Sequence, residues 1–288
     1  MAVDLKDLKT IRYEVQNPGE NGVAVVTLDR PEARNAQNKR MTYELEAAFS
    51  DAARRSDVKV IVFQADGPHF CSGHDMRDTE SHKEFNLVFP HGGFGREGQE
   101  GHMAWEEEVY FNMCWRWRNL PKPVIAAAQG KTIAGGLPLL WAADIIIAAE
   151  NAAFSDPVVS FGVNGVEYFG HPWELGPRKA KEMLFTGDWV TAQQAHQLGM
   201  VNHVVSRAEL ESFGLAMADR IAQKPLFALR LTKQAINAAQ DAQGRLSAMQ
   251  TSFALHHLAH AHNMLAHGSL VDPTGVMAAV KKGPKAAE

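Results

Sequence analysis

Two neighbouring glycines, Gly135 and Gly136, open a short segment that is apolar throughout. The apolar runs on either side of it, residues 124–128 and 145–149, predict buried strands, and the segment between them predicts a buried helix. Glycine at a helix start lets a ligand approach the backbone closely, and the N–H groups of the first turn favour a negative charge there. No phosphate-loop lysine pattern is nearby, and an oxyanion developing on a carbonyl group fits these donors equally well.

A second turn of the same kind lies upstream, after a strand predicted at residues 60–63. Its loop, residues 67–75, contains Gly73, which allows the backbone N–H of His74 to face a ligand. Donors from His74 and Gly135 suggest an arrangement in which two N–H groups converge on one oxygen atom. Such a pair of donors would stabilise an oxyanion.

The elements that must hold these two turns alternate between strands and helices before the chain becomes wholly helical. Residues 10–28 alternate like a β-hairpin, and a helix is predicted from Asn38 to about Arg55. Later helices are predicted at residues 207–223, 225–239 and 245–266. Strands alternating with helices, followed by helices alone, indicate an α/β core with a C-terminal helical region.

A series of short motifs runs in a fixed order along most of the chain. They are residues 28–36 (LDRPEARNA), 70–75 (FCSGHD), 122–126 (KPVIA), 133–136 (IAGG), 142–144 (AAD), 153–157 (AFSDP), 184–187 (LFTG), 192–202 (AQQAHQLGMVN) and 228–233 (ALRLTK). In this order they resemble the crotonase family, also called the enoyl-CoA hydratase/isomerase superfamily. The ordered series is far more specific than any single motif.

This resemblance implies an α/β, crotonase-like fold, a spiral of ββα units with a C-terminal helical region. Residues 1–205 would form the core with an acyl-CoA pocket, and residues 206–288 a C-terminal helical trimerisation region. It also implies a homotrimer or a dimer of trimers. The substrate would be an acyl-CoA thioester, and no cofactor is expected because coenzyme A is part of the substrate.

The resemblance also assigns roles to residues of the two turns. The backbone N–H groups of His74 and Gly135 would hold the thioester carbonyl oxygen and stabilise an enolate. The residue types and the family therefore point to the same two positions. Further contributions to acyl-CoA binding are expected from Arg34, Ser72, Asp75 and Gly136.

The acid/base residues depart from the family pattern. A hydratase of this family carries one glutamate on the glycine-opened helix and another in the loop after the following strand. Those positions are occupied here by Pro138 and Val158, and neither side chain can titrate. Hydration needs a pair of groups to position one water and pass its protons. The sequence therefore predicts weak or absent hydration.

Glu167 is the carboxylate that could replace them, because it lies where other family members place an acidic residue for isomerisation or dehalogenation. It is predicted to begin a helix, where the dipole favours the charged form. The alternative is a helix-start carboxylate with no catalytic role. Asp75 and Asp156 are expected to brace their loops, and His171 and Glu174 to form a pair along one helix.

Five histidines near the C-terminus raise the question of a metal site: His256, His257, His260, His262 and His267. The spacing of His256 and His260 would suit two ligands on one helical face. No cysteine or carboxylate stands near them in the sequence. We therefore expect no metal site and interpret these histidines as a polar helix face.

Composition narrows the class of protein. The chain has 288 residues, 45% of them hydrophobic, and a net charge of −4, which argues against a nucleic-acid or anionic-membrane partner. Two cysteines form no disulfide framework, the N-terminus has no apolar signal core, and no apolar run would span a membrane. We therefore expect a soluble cytoplasmic protein.

Residues 77–102, glycine-rich but with interleaved aromatic residues, are predicted to form a lid.

Three functions remain open from the sequence. An enzyme that stabilises an enolate and uses one base, such as a double-bond isomerase, fits the residues best. Hydrolysis of the thioester is a second possibility. The third is a catalytically silent acyl-CoA-binding protein that keeps the pocket without the acid/base pair.

Overall fold

The computed structural model describes residues 3–81, 84–85 and 95–275. Of the predicted lid, residues 82–83 and 86–94 lie outside the described residues, as does the end of the predicted C-terminal region from residue 276. Among the residues described, no helix is both long and apolar enough to cross a membrane.

Nine strands form two sheets in the described part of the chain. They are β1 (Ile11–Gln16), β2 (Val23–Leu28), β3 (Val60–Ala65), β4 (Val124–Ala128), β5 (Lys131–Ile133), β6 (Ile145–Ala149), β7 (Ala153–Ser155), β8 (Val190–Thr191) and β9 (His203–Val205). The larger sheet has the order β1-β2-β3-β4-β6-β9, and β5-β7-β8 form the smaller one. Only the predicted hairpin β1–β2 is antiparallel in the larger sheet; its other pairs are parallel.

Helices connect and cover these strands. They are α1 (Lys39–Arg54), α2 (Gly98–Glu106), a π-helix (Glu107–Asn112), α3 (Met113–Arg118), α4 (Gly136–Trp141), α5 (His171–Thr186), α6 (Ala192–Leu198), α7 (Leu210–Ala222), α8 (Leu226–Ala242) and α9 (Arg245–His267). Short 3₁₀ turns occur at Pro31–Ala33 and Val158–Phe161. Strand pairs β4–β5 and β6–β7 each precede a helix, which gives the predicted ββα repeat.

The inner strands of the larger sheet, β2, β3, β4 and β6, are buried on both faces, which explains why they read as continuous apolar runs, whereas the edge strand β1 alternates between buried and more exposed residues. Ala24 and Val26 of β2 point into the main core with α1 and α4. Val23 and Val25 point to the opposite face, where α7 covers the sheet. The glycine-opened helix α4 is buried along its whole length, as its sequence predicts.

Helix α7 of the predicted C-terminal region packs on the larger sheet, and the division at residue 205 stays a prediction. Two expectations about element boundaries need correction. The helix after the predicted lid begins at Gly98, inside the segment interpreted as loop. Glu167 does not begin a helix: α5 begins at His171, and Glu167 lies in the irregular segment before it.

Candidate active site

The two glycine turns meet beside the smaller sheet. Cys71 forms a parallel bridge with Thr132 of β5, and the Ile133 N–H donates to the Cys71 carbonyl at 3.0 Å. This pairing lays the first turn against the chain that leads into α4. A Cβ atom on Gly73 would lie 3.4 Å from the Gly135 nitrogen, so the two turns are in close contact.

The two predicted donor groups stand apart from the backbone pairing around them. Among the described residues, the backbone N–H groups of His74 and Gly135 donate no hydrogen bond within the chain. Their neighbours do: Ala134 donates to the Ser155 carbonyl and Asp75 to the Gln37 carbonyl. Gly73 has a φ of +93°, a conformation that favours glycine, and this turns the His74 N–H out of the local pairing.

The His74 side chain covers the second turn. A Cβ atom on Gly135 would lie only 2.3 Å from His74 Cδ2 and Nε2, so a side chain at residue 135 would displace this ring. The ring stacks on Tyr110 of the π-helix, with centroids 3.8 Å apart. Its Nδ1 lies 3.7 Å from Glu167 Oε1, so one residue joins the donor site to a buried carboxylate.

Glu167 is a buried carboxylate beside the donor site. Only 4% of its side chain is exposed, and its Oε2 atom has no hydrogen-bond partner among the described residues. Burial raises the pKa of Glu167, and the nearby Glu106 adds to the rise, whereas His74 and His256 oppose it. The helix-dipole effect expected from the sequence is absent because Glu167 precedes α5 by four residues.

The irregular segment that carries Glu167 is held by a buried brace. Asp156 accepts hydrogen bonds from the Val158 and Val166 N–H groups and contacts His171 Nε2 at 2.8 Å. The expected bracing role of Asp156 is thereby confirmed. The expected pair of His171 with Glu174 is wrong, because Glu174 instead binds Arg245 of α9 at 2.8 Å.

A second buried carboxylate, Glu106 at the end of α2, lies beside Glu167. Its carboxylate contacts His102 Nε2 at 3.2 Å, His257 Nε2 at 3.3 Å and His256 Nε2 at 3.5 Å. His256 Nε2 is also 3.7 Å from Glu167 Oε1 and thus lies between the two carboxylates. Burial alone would raise the pKa of Glu106, but His256 and the other histidines lower it.

The interpretation of the C-terminal histidines as a polar helix face is wrong for three of them. His256, His257 and His260 are buried where α9 packs on α2, whereas His262 and His267 are exposed. Gln99 of α2 bonds the His257 carbonyl at 3.3 Å and so ties the two helices together. The C-terminal region therefore contributes side chains to the site that was predicted within residues 1–205.

Ligand atoms of these residues come close enough to consider a metal ion. Two sets have their ligand atoms within 4.8 Å of one another, His102 with Glu106 and His260, and Glu106 with Glu167 and His256. The sequence argument that no carboxylate accompanies the histidines is thus wrong. One tetrahedral zinc ion could not bind both His256 and His260, because their Nε2 atoms are 2.8 Å apart and two nitrogen ligands of such an ion are roughly 3.4 Å apart. Neither set requires this, since each contains only one of these two histidines.

The positions of the two glutamates that a hydratase would carry lie in the same region but hold apolar residues. Pro138 is in the first turn of α4, where its missing N–H has no helical partner, and Val158 begins a 3₁₀ turn. Both are buried. The buried carboxylates beside the two glycine turns are instead those of Glu106 and Glu167.

The residues expected to bind acyl-CoA have different surroundings. Asp75 accepts from Arg30 Nη2 and from the Arg77 N–H, so it braces its own loop as also expected. Gly136 packs against Cys71, where a Cβ atom would lie 2.7 Å from a carbonyl oxygen. The Ser72 N–H donates a hydrogen bond to the Arg34 carbonyl, and Arg34 is exposed. Contact of Arg34 and Ser72 with a ligand stays a prediction.

Sequence reasoning missed Glu106 and did not connect the histidines with Glu167. Glu106 is the first of three consecutive glutamates, and only packing distinguishes it from its neighbours. One signal was present: His102 and Glu106, like His256 and His260, are four residues apart on a helix, so each pair shares one face.

Comparisons with known proteins agree with this fold. A family model described as enoyl-CoA hydratase/isomerase matches residues 18–269. A Mycobacterium tuberculosis protein named "Putative enoyl-CoA hydratase EchA13" is 41% identical over 264 residues, which cover 89% of this chain and 82% of that protein. The 1,2-epoxyphenylacetyl-CoA isomerase of Escherichia coli is 32% identical over 226 residues, which cover 77% of this chain and 80% of that protein.

A solved structure is also similar. The crystal structure of a probable enoyl-CoA hydratase from Mycobacterium thermoresistibile superposes with a TM-score of 0.82. Its sequence is 47% identical, and the match covers 91% of this chain and 99% of that one.

Proposed function

The chain belongs to the enoyl-CoA hydratase/isomerase family, and from that premise we propose that it acts on acyl-CoA thioesters through an enolate. The thioester carbonyl oxygen is held by the backbone N–H groups of His74 and Gly135. Glu167 is the base that removes a proton from the acyl chain. The observation that carries this proposal is the position of the buried Glu167 carboxylate, 3.7 Å from the side chain of the residue that supplies the first donor.

Three properties of the site support enolate chemistry. Two N–H donors with no partner in the described part of the chain are suited to the negative charge that develops on the carbonyl oxygen. Glu167 is buried, so a nearby carbon acid would meet a poorly solvated carboxylate. The pKa of Glu167 is raised toward neutral pH, and a general base is most effective when its pKa lies near the pH at which it works.

We favour double-bond isomerisation over efficient hydration. One carboxylate can remove a proton from one carbon and return it to another, whereas hydration also needs a group that positions water. Pro138 and Val158 cannot serve that purpose. The Escherichia coli relative is named an isomerase of an epoxide, which is not a double-bond shift, and other relatives are named hydratases, so the choice rests on Pro138 and Val158. Assembly as a homotrimer or a dimer of trimers, and coenzyme A entering only as part of the substrate, belong to the same proposal.

The experiment compares two thioesters. With trans-3-hexenoyl-CoA we expect the conjugated enoyl thioester to form, and with crotonyl-CoA we expect the conjugated absorbance to disappear at least tenfold more slowly. Released coenzyme A, measured with a thiol reagent, reports hydrolysis. Tight binding of both thioesters with no turnover of either would instead identify a silent binding protein, and rapid loss of crotonyl-CoA would contradict the preference for isomerisation.

A further inference from the structure

Two histidines of α9 are in direct contact beside Glu167. His256 and His260 lie one helical turn apart, both buried, and their Nε2 atoms are 2.8 Å from each other. Each ring is anchored at its other nitrogen by a backbone carbonyl. His256 Nδ1 lies 2.7 Å from the Gly165 oxygen, and His260 Nδ1 lies 2.6 Å from the Leu270 oxygen.

These three contacts determine how many protons the pair carries. A carbonyl oxygen only accepts hydrogen bonds, so each Nδ1 atom must bear a hydrogen. In a neutral ring the other nitrogen then has a lone pair and no hydrogen. Two neutral rings would therefore bring two lone pairs together at 2.8 Å. The contact becomes a hydrogen bond only if one Nε2 atom is protonated, so the pair holds one proton more than two neutral histidines.

The surroundings favour this extra positive charge and place it on His256. Its Nε2 atom is 3.5 Å from Glu106 Oε2 and 3.7 Å from Glu167 Oε1. Although burial opposes the charged form, these two carboxylates raise the pKa of His256. Burial lowers the pKa of His260. The remaining titratable groups of the cluster are His102 on α2 and His257, which follows His256 on α9.

We propose that the His256–His260 pair is the second acid/base group of this active site, and that His256 delivers its Nε2 proton to the acyl chain after Glu167 has removed another. The inference rests on the proposed function and extends it. It gives Glu106 the role of a positioning residue, because its carboxylate faces His256 and stabilises the imidazolium. It also adds a proton donor from α9, and because His256 delivers that proton to carbon rather than positioning a water, the preference for isomerisation over hydration is kept.

The proton transfers balance for a 3-enoyl thioester. The C2–H bond breaks as Glu167 takes the proton, and the electron pair passes into the dienolate held by the two N–H donors. A C4–H bond then forms as His256 Nε2 gives up its proton and the double bond moves to C2–C3. Finally the Glu167 hydroxyl returns its proton to His256, which restores both groups with no net gain or loss.

The charge state of the pair can be tested without any substrate. In protein labelled with ¹⁵N at histidine, we expect one ring of the pair to show imidazolium shifts at pH 7 and Glu106→Gln to lower its pKa. His262→Asn serves as the matched control because His262 is exposed on the same helix and outside the pair. Two neutral rings at pH 7 in the wild-type protein would overturn the proposal.

Proton delivery is tested by measuring the deuterium that the product gains in the first turnover. Wild-type protein equilibrated in D₂O and mixed with trans-3-hexenoyl-CoA should place deuterium at C4 of nearly every product molecule. His256→Asn should slow this conversion about 100-fold, while exchange of the C2 hydrogens of butyryl-CoA, which needs Glu167 and the donors, continues. His262→Asn should match the wild type. Unlabelled C4 in the wild type, or unchanged conversion by His256→Asn, would overturn delivery by His256.

The same measurements separate the two proposals. Loss of C2 exchange in the wild type would contradict the proposed function and the delivery step with it, whereas the ¹⁵N spectrum would still decide whether the pair stores a proton. If the C2 hydrogens exchange but the product carries no deuterium at C4, the proposed function is still supported and only the role of His256 is excluded. If His256→Asn fails to fold, the wild-type spectrum and the wild-type label are sufficient for both decisions.

Discussion

The two proposed oxyanion donors and the buried cluster of histidines and carboxylates lie side by side in this molecule, but the donors are backbone groups and the cluster is made of side chains. The donors come from two glycine turns, at His74 and Gly135, that are held together by pairing along β5. The cluster comes from α2, the irregular segment before α5, and α9, and its residues are up to 158 positions apart, as His102 and His260 show. The two glycine turns and the side-chain cluster are therefore neighbours in space but depend on very different parts of the chain.

This difference has a consequence for how the site can vary. A backbone donor persists through most side-chain substitutions, provided that the glycine conformation of the turn is kept. A side-chain cluster can lose its members and be rebuilt from other elements that face the same pocket. Pro138 and Val158 stand at two positions where a hydratase carries glutamates, while Glu106 and Glu167 supply buried carboxylates from elsewhere.

The largest effect is expected from removing a backbone donor. Gly135 has a φ of −54°, which proline can adopt, so Gly135→Pro removes the N–H while keeping the local φ. Because any Cβ at this position meets the His74 ring, both Gly135→Pro and the control Gly135→Ala should be made together with His74→Ala. We expect turnover of the proline variant to fall about 10²- to 10³-fold below that of the alanine variant. Equal turnover in two folded proteins would remove Gly135 from the donor pair.

A much smaller effect is expected from the side chain of the other donor residue. His74→Ala keeps the backbone N–H and removes only the ring that stacks on Tyr110 and faces Glu167. We expect turnover of trans-3-hexenoyl-CoA to change by less than about tenfold, since the donor itself remains. A loss comparable to that of the Gly135→Pro variant would show that the ring takes part in the chemistry. The backbone donors and the side-chain cluster could then not be treated as separate parts of the site.

No change is expected from removing metal ions. The proposal assigns the Nε2 atoms of His256 and His260 to a shared proton, which leaves neither set of ligand atoms a free lone pair on its α9 histidine. Dialysis of the protein against EDTA should leave turnover of trans-3-hexenoyl-CoA unaltered, and added Zn²⁺ should not raise it. Activity that disappears with EDTA and returns with Zn²⁺ would mean that the cluster of histidines and carboxylates works through a metal.

The sequence was informative where local rules determine the structure. Gly73 and Gly135–Gly136 lie in short turns between buried strands, so their conformation and the direction of the nearby N–H groups follow from a few adjacent residues. Continuous apolar runs likewise predicted the inner strands of the larger sheet, because both faces of those strands are covered. The hairpin was predicted from the alternation of residues 10–28, and α1 from the helical pattern that begins at Asn38.

It was uninformative where tertiary packing determines the structure. Nothing in the glutamates at residues 106–108 distinguishes Glu106, which becomes part of the site only because α9 packs on α2. Burial of the His256 ring depends on the same contact. Glu167 was placed at a helix start because Gly165 precedes it, yet Gly165 has a φ of +147° and the chain stays irregular until His171. These outcomes depend on residues far apart in the chain.

The central claim is that Glu167 removes a proton from an acyl-CoA held by the two backbone donors. It is tested most directly by Glu167→Gln, which keeps the size of the side chain and removes the base. We expect turnover of trans-3-hexenoyl-CoA to fall at least about 100-fold, with C2 exchange of butyryl-CoA lost and the dissociation constant for butyryl-CoA close to that of the wild type. If the glutamine variant keeps full turnover and exchange, Glu167 is only a buried structural carboxylate and the account is contradicted.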